Sequence, residues 1–327
     1  MISIHAGLIL LNMTILFYFS KISNYLNFFD FPDNDRKIHQ NPISLLGGFI
    51  IYSNLIMIFL IDLASKENLF PFKGPDNYTF VFISTLVFLL GYIDDKYSLS
   101  ANKKLLILSL LILILIFFDN NLLLSELRFS FTSKTYNLGF FSYFFTLLCI
   151  LLFVNAFNMF DGINLQCGIY ALLIFIILKL NYLDIVLFNA LIVSILVFLY
   201  LNFKNKCFLG NNGSHLIAFI ISYFFIKGYN TGVEFKADSI FIFMMIPGFE
   251  LLRLAVARVI NKKHPFEADK NHLHHVLIAK FSFYKTTIIQ QSLILLPILF
   301  SFIIINNLLI ILITLLIYAS LIIRFRN

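Results

Sequence analysis

The sequence predicts an all-α polytopic transmembrane helical bundle, and two observations carry that class. Of 327 residues, 60% are hydrophobic and 13% are charged, against about a quarter charged in ordinary soluble domains. The mean hydropathy is +0.90, which excludes an aqueous globule. The apolar residues also come in runs of roughly 17 to 22, the length a helix needs to cross a bilayer. Backbone amides in lipid must be satisfied internally, and runs this long do so as helices rather than as barrel strands.

Eleven spans follow, at about residues 2–20, 45–63, 77–93, 105–118, 139–157, 165–181, 184–201, 213–228, 239–257, 286–304 and 308–323. The fourth is short, with the apolar run 122–124 available to extend it. The sixth and seventh are separated by little more than residues 181–184. With no internal repeat or low-complexity linker, residues 1–327 form a single integral-membrane domain. The first run starts at Ile2 without a basic leader or a small-residue cleavage site after it, so it reads as a retained helix. Cys149, Cys167 and Cys207 lack metal-type spacing and read as small buried hydrophobes.

Orientation follows from the basic residues. With the N-terminus outside, 17 Lys and Arg fall on the inner side and 7 on the outer side, a positive-inside bias. This accounts for much of the net charge of +7, and no nucleic-acid partner is expected. The same assignment brings every unusual polar cluster to the cytoplasmic face. The outer segment 125–136 has the length of a small hairpin and no evident chemistry, and the outer half as a whole looks nearly featureless.

Five inner segments stand out. The first runs from Asp30 through Arg36, Lys37 and His39 to the pair Gly47-Gly48. A solvated loop with topology determinants would look like this, but the mix also suits anionic substrate groups at a helix start. The third span ends in Asp94-Asp95-Lys96, followed by Lys103-Lys104. Paired carboxylates at a helix C-terminus oppose its dipole, so a divalent cation or a lysine must compensate them. Hard oxygen ligands of this kind suit Mg²⁺.

The fifth span runs into Asn155, Asn158, Asp161, Gly162 and Asn164. Asn155 and Asn158 share a helix face that Asp161 continues, and polar residues so placed are costly unless they bind something. The seventh span exits into Gly210-Asn211-Asn212-Gly213, a turn able to present backbone amides as a phosphate cradle, although ordinary turns share the pattern. The last inner loop carries Arg258, Pro265-Phe266, His272, His274 and His275. No second ligand cluster completes a zinc site, so these histidines read better as hydrogen-bonding groups for a phosphate or sugar.

Together, in this order and on one face, the five segments resemble the polyprenyl-phosphate N-acetylhexosamine-1-phosphate transferases of glycosyltransferase family 4. The resemblance runs from Asp30 to His275, and the Pro265-Phe266 to His275 stretch looks like the undecaprenyl-phosphate GlcNAc-1-phosphate transferase branch. It implies an enzyme of the bacterial inner (cytoplasmic) membrane. Such an enzyme transfers HexNAc-1-phosphate from a UDP-N-acetylhexosamine to polyprenyl phosphate, releases UMP and starts a cell-surface polysaccharide, with a homodimer left open. It also implies catalytic roles for Asp94, Asp95 and Asp161, and metal ligation by Asn158 and Asn211, with Mg²⁺ or alternatively Mn²⁺ as cofactor. Lys37, His39, Lys104, Asn155, Asn164, Arg258, His272, His274 and His275 would bind substrates, Lys104 the lipid phosphate.

Three departures accompany the resemblance. Family members usually carry Gly-Asp-x-Gly where this chain has Gly210-Asn211-Asn212-Gly213, and the missing Asp is typically a Mg²⁺ ligand. They usually continue Gly-Leu after the Asp161-Gly162-Ile-Asn164 stretch, where this chain has Leu165-Gln166. Glu250 stands where Asp is common. Two other readings stay open. A transporter would place its broken helices and ionisable groups near mid-membrane, and an inactive lipid-binding relative would account for Asn211.

Overall fold

The computed structural model describes the chain except residues 1, 33–40, 66, 73, 183–184, 234, 264–270, 305 and 326–327, with backbone alone for residues 2 and 3. It is an all-α bundle. Eleven long helices are α1 (Ile2–Leu26), α2 (Gly47–Ser65), α3 (Pro75–Tyr97), α4 (Ala101–Phe118), α5 (Ser142–Phe160), α6 (Gln166–Asn181), α7 (Val186–Phe203), α8 (Gly210–Thr231), α9 (Ala237–Ile260), α11 (Phe283–Ser301) and α12 (Asn307–Phe325), with the short α10 (Leu273–Ile278) before the last two. Each predicted span has its helix. Nine of the described helices are long and apolar enough to cross a membrane, so the chain is a multi-pass membrane protein.

The two helices outside those nine are informative. α6 has only 16 residues. α8 sits at the centre of the bundle, packed by α2, α3, α5 and α6, and every residue from Asn212 to Tyr229 is buried. A helix walled in by protein can carry Asn, Ser, His and Lys that a lipid-facing helix cannot. Aromatic side chains hold it there: Phe80 packs on Tyr223 at a centroid distance of 4.4 Å, and Phe188 on Phe224 at 5.0 Å. α1 joins the bundle partly through a buried amide pair, Asn12 and Asn54, whose side chains exchange hydrogen bonds of 2.7 and 3.1 Å. Interhelical bonds of this type are a common adhesive where lipid removes the hydrophobic drive.

Two small antiparallel ribbons decorate the ends. β1 (Phe29–Asp30) pairs with β2 (Ile43–Ser44), and β3 (Glu126–Arg128) pairs with β4 (Thr135–Asn137) in the hairpin anticipated over 125–136. α4 stops at Phe118 rather than continuing through 122–124. Asp119 caps a single 3₁₀ turn there by accepting from the Asn121 amide.

The end carrying the β3–β4 hairpin is not featureless. Lys227, fully buried, is bonded to Asp119, to Asp76 at 2.7 Å and to the Tyr223 hydroxyl at 3.0 Å, and lies 4.5 Å over the Phe72 ring. Asp238 accepts from the Ser130 amide at 2.8 Å and from Asn307 at 2.8 Å. The ionic groups satisfy one another and tie α3, α4 and α8 together, which explains how they are tolerated without water.

Candidate active site

At the opposite end a cavity of about 1270 Å³ opens between the helix termini. Its walls come from the end of α3, the start of α4, the α5–α6 and α7–α8 turns, the end of α9, and α10. It collects Asp94, Asp95, Lys104, Asn155, Asn158, Asp161, Asn164, Asn211, Arg258, His272, His274 and His275 from segments far apart in the sequence. Lys37 and His39 lie outside the described residues.

Glycines allow the helices to close on the α7–α8 turn. A Cβ at Gly91 would sit 2.5 Å from the Asn211 carbonyl oxygen, and one at Gly48 would sit 1.9 Å from Asn212 Oδ1. The first amides of α2 are spent on this contact, with Gly47 and Gly48 donating to the carbonyls of Phe208 and Leu209 at 3.1 and 3.2 Å. The Gly47-Gly48 helix start is therefore a docking surface for the turn and not an anion site, contrary to the sequence expectation.

The α7–α8 turn departs from expectation in the same way. Gly210 has φ +72°, which aims the following amides at Asp95. Its carboxylate accepts from the Asn211 amide at 2.9 Å, the Asn212 amide at 3.0 Å and the Asn212 side chain at 2.6 Å. The cradle at the start of α8 holds the protein's own anion and not a phosphate.

Asp94 has different partners. It is buried, accepts from the Leu99 amide at 2.9 Å, and pairs with Lys104 Nζ at 2.6 Å. The two adjacent carboxylates thus point apart, one to the start of α4 and one to the start of α8. Each finds the compensation that a helix C-terminus denies it.

The α5–α6 turn completes the floor. Asn158 Oδ1 accepts from Ser214 at 2.7 Å, which links α5 to the first turn of α8. The Asn155 side-chain amide donates to its own helix at Leu151. The packed surroundings of the Asp161 carboxyl push it up to about 7, and the charge of Asp95 adds to the rise against a hydrogen bond from Cys167. Gly162 accommodates His274, because a Cβ there would lie 2.0 Å from the imidazole. Burial and the neighbouring His275 and His272 hold His274 well below its ordinary value, so it is neutral at pH 7.

Asn202, which the sequence reading passed over as the inner end of an apolar span, clamps this region. Its Oδ1 accepts from the Leu165 amide at 2.7 Å, and its amide donates to Asn164 at 3.1 Å and to the Cys207 carbonyl at 2.8 Å. Only its polarity at the end of an apolar run signalled it. Leu165, where the resemblance leads one to expect Gly, has φ +69°, a region a side chain enters only at a cost.

The donor set facing the cavity fits a hard cation. Its described charged walls carry Asp30, Asp94, Asp95 and Asp161 against Lys104 and Arg258, four acidic groups against two basic. Oxygen donors from Asp161, Asn158 and Asn211 share the floor. No group of three His, Cys, Asp or Glu among the described residues makes a ready-made metal cluster. A cation here would rely on amide and substrate oxygens, as Mg²⁺ commonly does.

Fold and site together define a multi-pass membrane protein with a polar cavity at one end of its helical bundle. The sequence model of glycosyl transferase family 4 matches residues 78–229, the stretch from α3 to α8 that supplies Asp94, Asp95, Asn158, Asp161 and Asn211. The undecaprenyl-phosphate alpha-N-acetylglucosaminyl 1-phosphate transferase of Escherichia coli O157:H7 is 27% identical over 277 residues, which cover 80% of this chain and 72% of that protein. The probable undecaprenyl-phosphate N-acetylglucosaminyl 1-phosphate transferase of Bacillus subtilis (strain 168) is 27% identical over 259 residues, 76% and 69% of the two chains. The Yersinia pestis undecaprenyl-phosphate alpha-N-acetylglucosaminyl 1-phosphate transferase is 24% identical over 281 residues, 82% and 74%. These similarities agree with the family resemblance carried by the polar segments.

Proposed function

We propose that this protein transfers HexNAc-1-phosphate from a UDP-N-acetylhexosamine to polyprenyl phosphate, forming polyprenyl-diphosphate-HexNAc and UMP. The observation that carries the reading is the convergence of five distant polar segments on one cavity at the end of a membrane bundle. A water-soluble donor can reach such a site from the interface while a lipid acceptor reaches it from the bilayer. The functions named for the relatives point the same way.

In this reaction a lipid phosphate oxygen attacks the β-phosphorus, a new P–O bond forms, and the bond to the bridging oxygen breaks, so that oxygen leaves with UMP. The protein must shield phosphate charge, position the two substrates and keep the nucleophile ionised. Lys104 is the candidate contact for the acceptor phosphate. Its partner Asp94, 2.6 Å away, holds the ammonium at the cavity wall until the phosphate competes for it, leaving Asp94 beside the nucleophile. Asp95 fixes the start of α8, and with it Asn211.

The described walls carry more acidic than basic groups and the donor is a dianionic diphosphate, so a cation would aid binding. Asp161, Asn158 and Asn211 are the residues to hold Mg²⁺ or Mn²⁺, which would neutralise the diphosphate. Arg258, His272, His274 and His275 line the side on which the sugar and diphosphate would lie, and Asn155 and Asn164 the nucleotide side. Lys37 and His39 are assigned to the substrates by family resemblance alone. The basic-residue bias supports an orientation with this end in the cytoplasm; in the proposed reading all eleven long helices cross a bacterial inner membrane. The product would start a cell-surface polysaccharide.

The test is release of UMP by purified protein given polyprenyl phosphate and, in turn, UDP-GlcNAc, UDP-GalNAc and deoxyamino analogues. UMP release that requires both lipid phosphate and metal is expected with at least one donor. No release with any donor would refute the reading.

A further inference from the structure

The last helix reaches the active-site end through a buried polar junction that the reaction as described does not use. Glu250 on α9 and Tyr318 on α12 are both buried and hydrogen-bonded to each other, the hydroxyl donating to the carboxylate. The same hydroxyl accepts from Arg253 Nε at 2.9 Å. Arg253 returns to Glu250 at 2.8 Å and also donates to the Asn271 carbonyl at 2.6 Å. The second function of Glu250 is to accept the Leu273 amide at 2.7 Å, with His272 Nδ1 at 3.6 Å.

These bonds fix the entry to α10 at two adjacent points, the Asn271 carbonyl and the Leu273 amide. The next side chain along is His274, which rests on Gly162 so closely that a Cβ there would overlap it. His274 in turn neighbours His272 and His275, with ring centroids 5.2 and 4.3 Å away. A continuous set of contacts therefore runs from Tyr318 through Glu250 and Arg253 to the histidines and the Asp161-Gly162 turn. The carboxylate is shared between a cation, a phenol and a backbone amide, which defines its position tightly.

We infer that Tyr318, Glu250 and Arg253 form a positioning unit that sets the His272–His275 segment over the α5–α6 turn, making α12 part of the donor-binding apparatus. The inference rests on the proposed reaction only in naming the donor as the group so positioned. The unit touches no reacting atom, so its effect should appear in donor binding more than in turnover.

Tyr318→Phe removes both hydroxyl contacts while leaving the ring beside Phe249. Hydrogen bonds to charged groups make amide exchange the sensitive readout, and at residues 273–278 exchange should quicken by roughly tenfold to a hundredfold. The KM for the UDP-sugar should rise about tenfold or more, with kcat changed less and the KM for polyprenyl phosphate unchanged. Glu250→Gln, similar in size and uncharged, should act in the same direction and serves if the first variant folds poorly. Unchanged exchange at 273–278 would overturn the inference, and so would faster exchange with an unaltered donor KM. A wild-type protein that releases no UMP would instead refute the proposed function, and the exchange data alone would then decide whether the unit holds the segment.

Discussion

The Asp95 carboxylate caps the start of α8 through Asn212, accepting its backbone amide at 3.0 Å and its side-chain amide at 2.6 Å. Asp94, one residue earlier, bonds Lys104 instead. Two carboxylates that look equivalent in the sequence thus divide their duties. Asp95→Asn should lower the stability of the protein by about 1–2 kcal/mol, because a charged cap at a helix N-terminus is lost, and should also lower turnover. Asp94→Asn should lower turnover by orders of magnitude with a smaller loss of stability, because the Asn oxygen can still accept from Leu99 and Lys104 lines the open cavity. Unfolding curves and UMP release for the two variants check the division. Equal stability losses would place both residues in the same structural role.

The raised value of about 7 at Asp161 has a definite sign. A carboxyl whose folded value lies above its ordinary 3.8 binds its proton more tightly in the folded state. The stability it contributes is complete below about 4 and drains away as pH rises to about 7. Metal-free wild type should therefore lose more thermal stability between pH 5 and pH 8 than Asp161→Asn does. Added Mg²⁺ should narrow the difference, since a cation favours the carboxylate. Parallel stability profiles for the two metal-free proteins would show that Asp161 does not titrate in this window.

Leu165 is the position where one departure from the family pattern has a visible backbone consequence, its φ of +69°. Leu165→Ala removes the side chain and keeps the strain, whereas Leu165→Gly removes both. The glycine variant should be more stable than the alanine variant by about 1 kcal/mol. Chemical unfolding of the pair measures this directly, and an alanine variant as stable as the glycine variant would show that the turn relaxes.

The legibility of this chain differs between its lipid-facing and protein-facing parts. Apolar runs gave all eleven long helices, because a helix in lipid must advertise itself by composition. α8 was legible too, although most of its polarity lies on a surface walled in by protein. The gathering of Asp94, Asp161, Asn211 and the histidines was readable because polar groups at span ends are expensive and so stand out. What the sequence did not disclose is pairing. The cradles at Gly47-Gly48 and Gly210–Gly213 read as anion sites, yet their amides are spent on the carbonyls of Phe208 and Leu209 and on Asp95. Lys227, Asp119 and Asp76 are far apart in the chain, and nothing local showed that they meet. Asn202 lies one residue past the predicted seventh span and was not singled out there; only the fold reveals that it joins two turns.

Asn211 sits where the resemblance leads one to expect a metal-binding Asp, and its backbone amide is already bonded to Asp95. If Asn211 is a ligand of the proposed cation, Asn211→Asp adds a negative charge to the metal site. The half-saturating Mg²⁺ concentration for UMP release should fall by about five- to a hundredfold, roughly 1–3 kcal/mol, because the cost of desolvating the new carboxylate offsets most of its Coulomb attraction to the ion. Without metal the variant adds a carboxylate to the residue whose amide already bonds Asp95, so it should also be less stable than wild type in chelator. An unchanged half-saturation point would remove Asn211 from the metal site.

The central claim is that a sugar phosphate, and not a sugar alone, passes to the lipid. UDP-N-acetylglucosamine labelled in its β-phosphate distinguishes the two when the purified protein is incubated with undecaprenyl phosphate and Mg²⁺. The account predicts that the label moves into the lipid fraction while unlabelled UMP accumulates in equal amount, and that Asp94→Asn abolishes both. Label retained in released UDP, with sugar alone reaching the lipid, would contradict it.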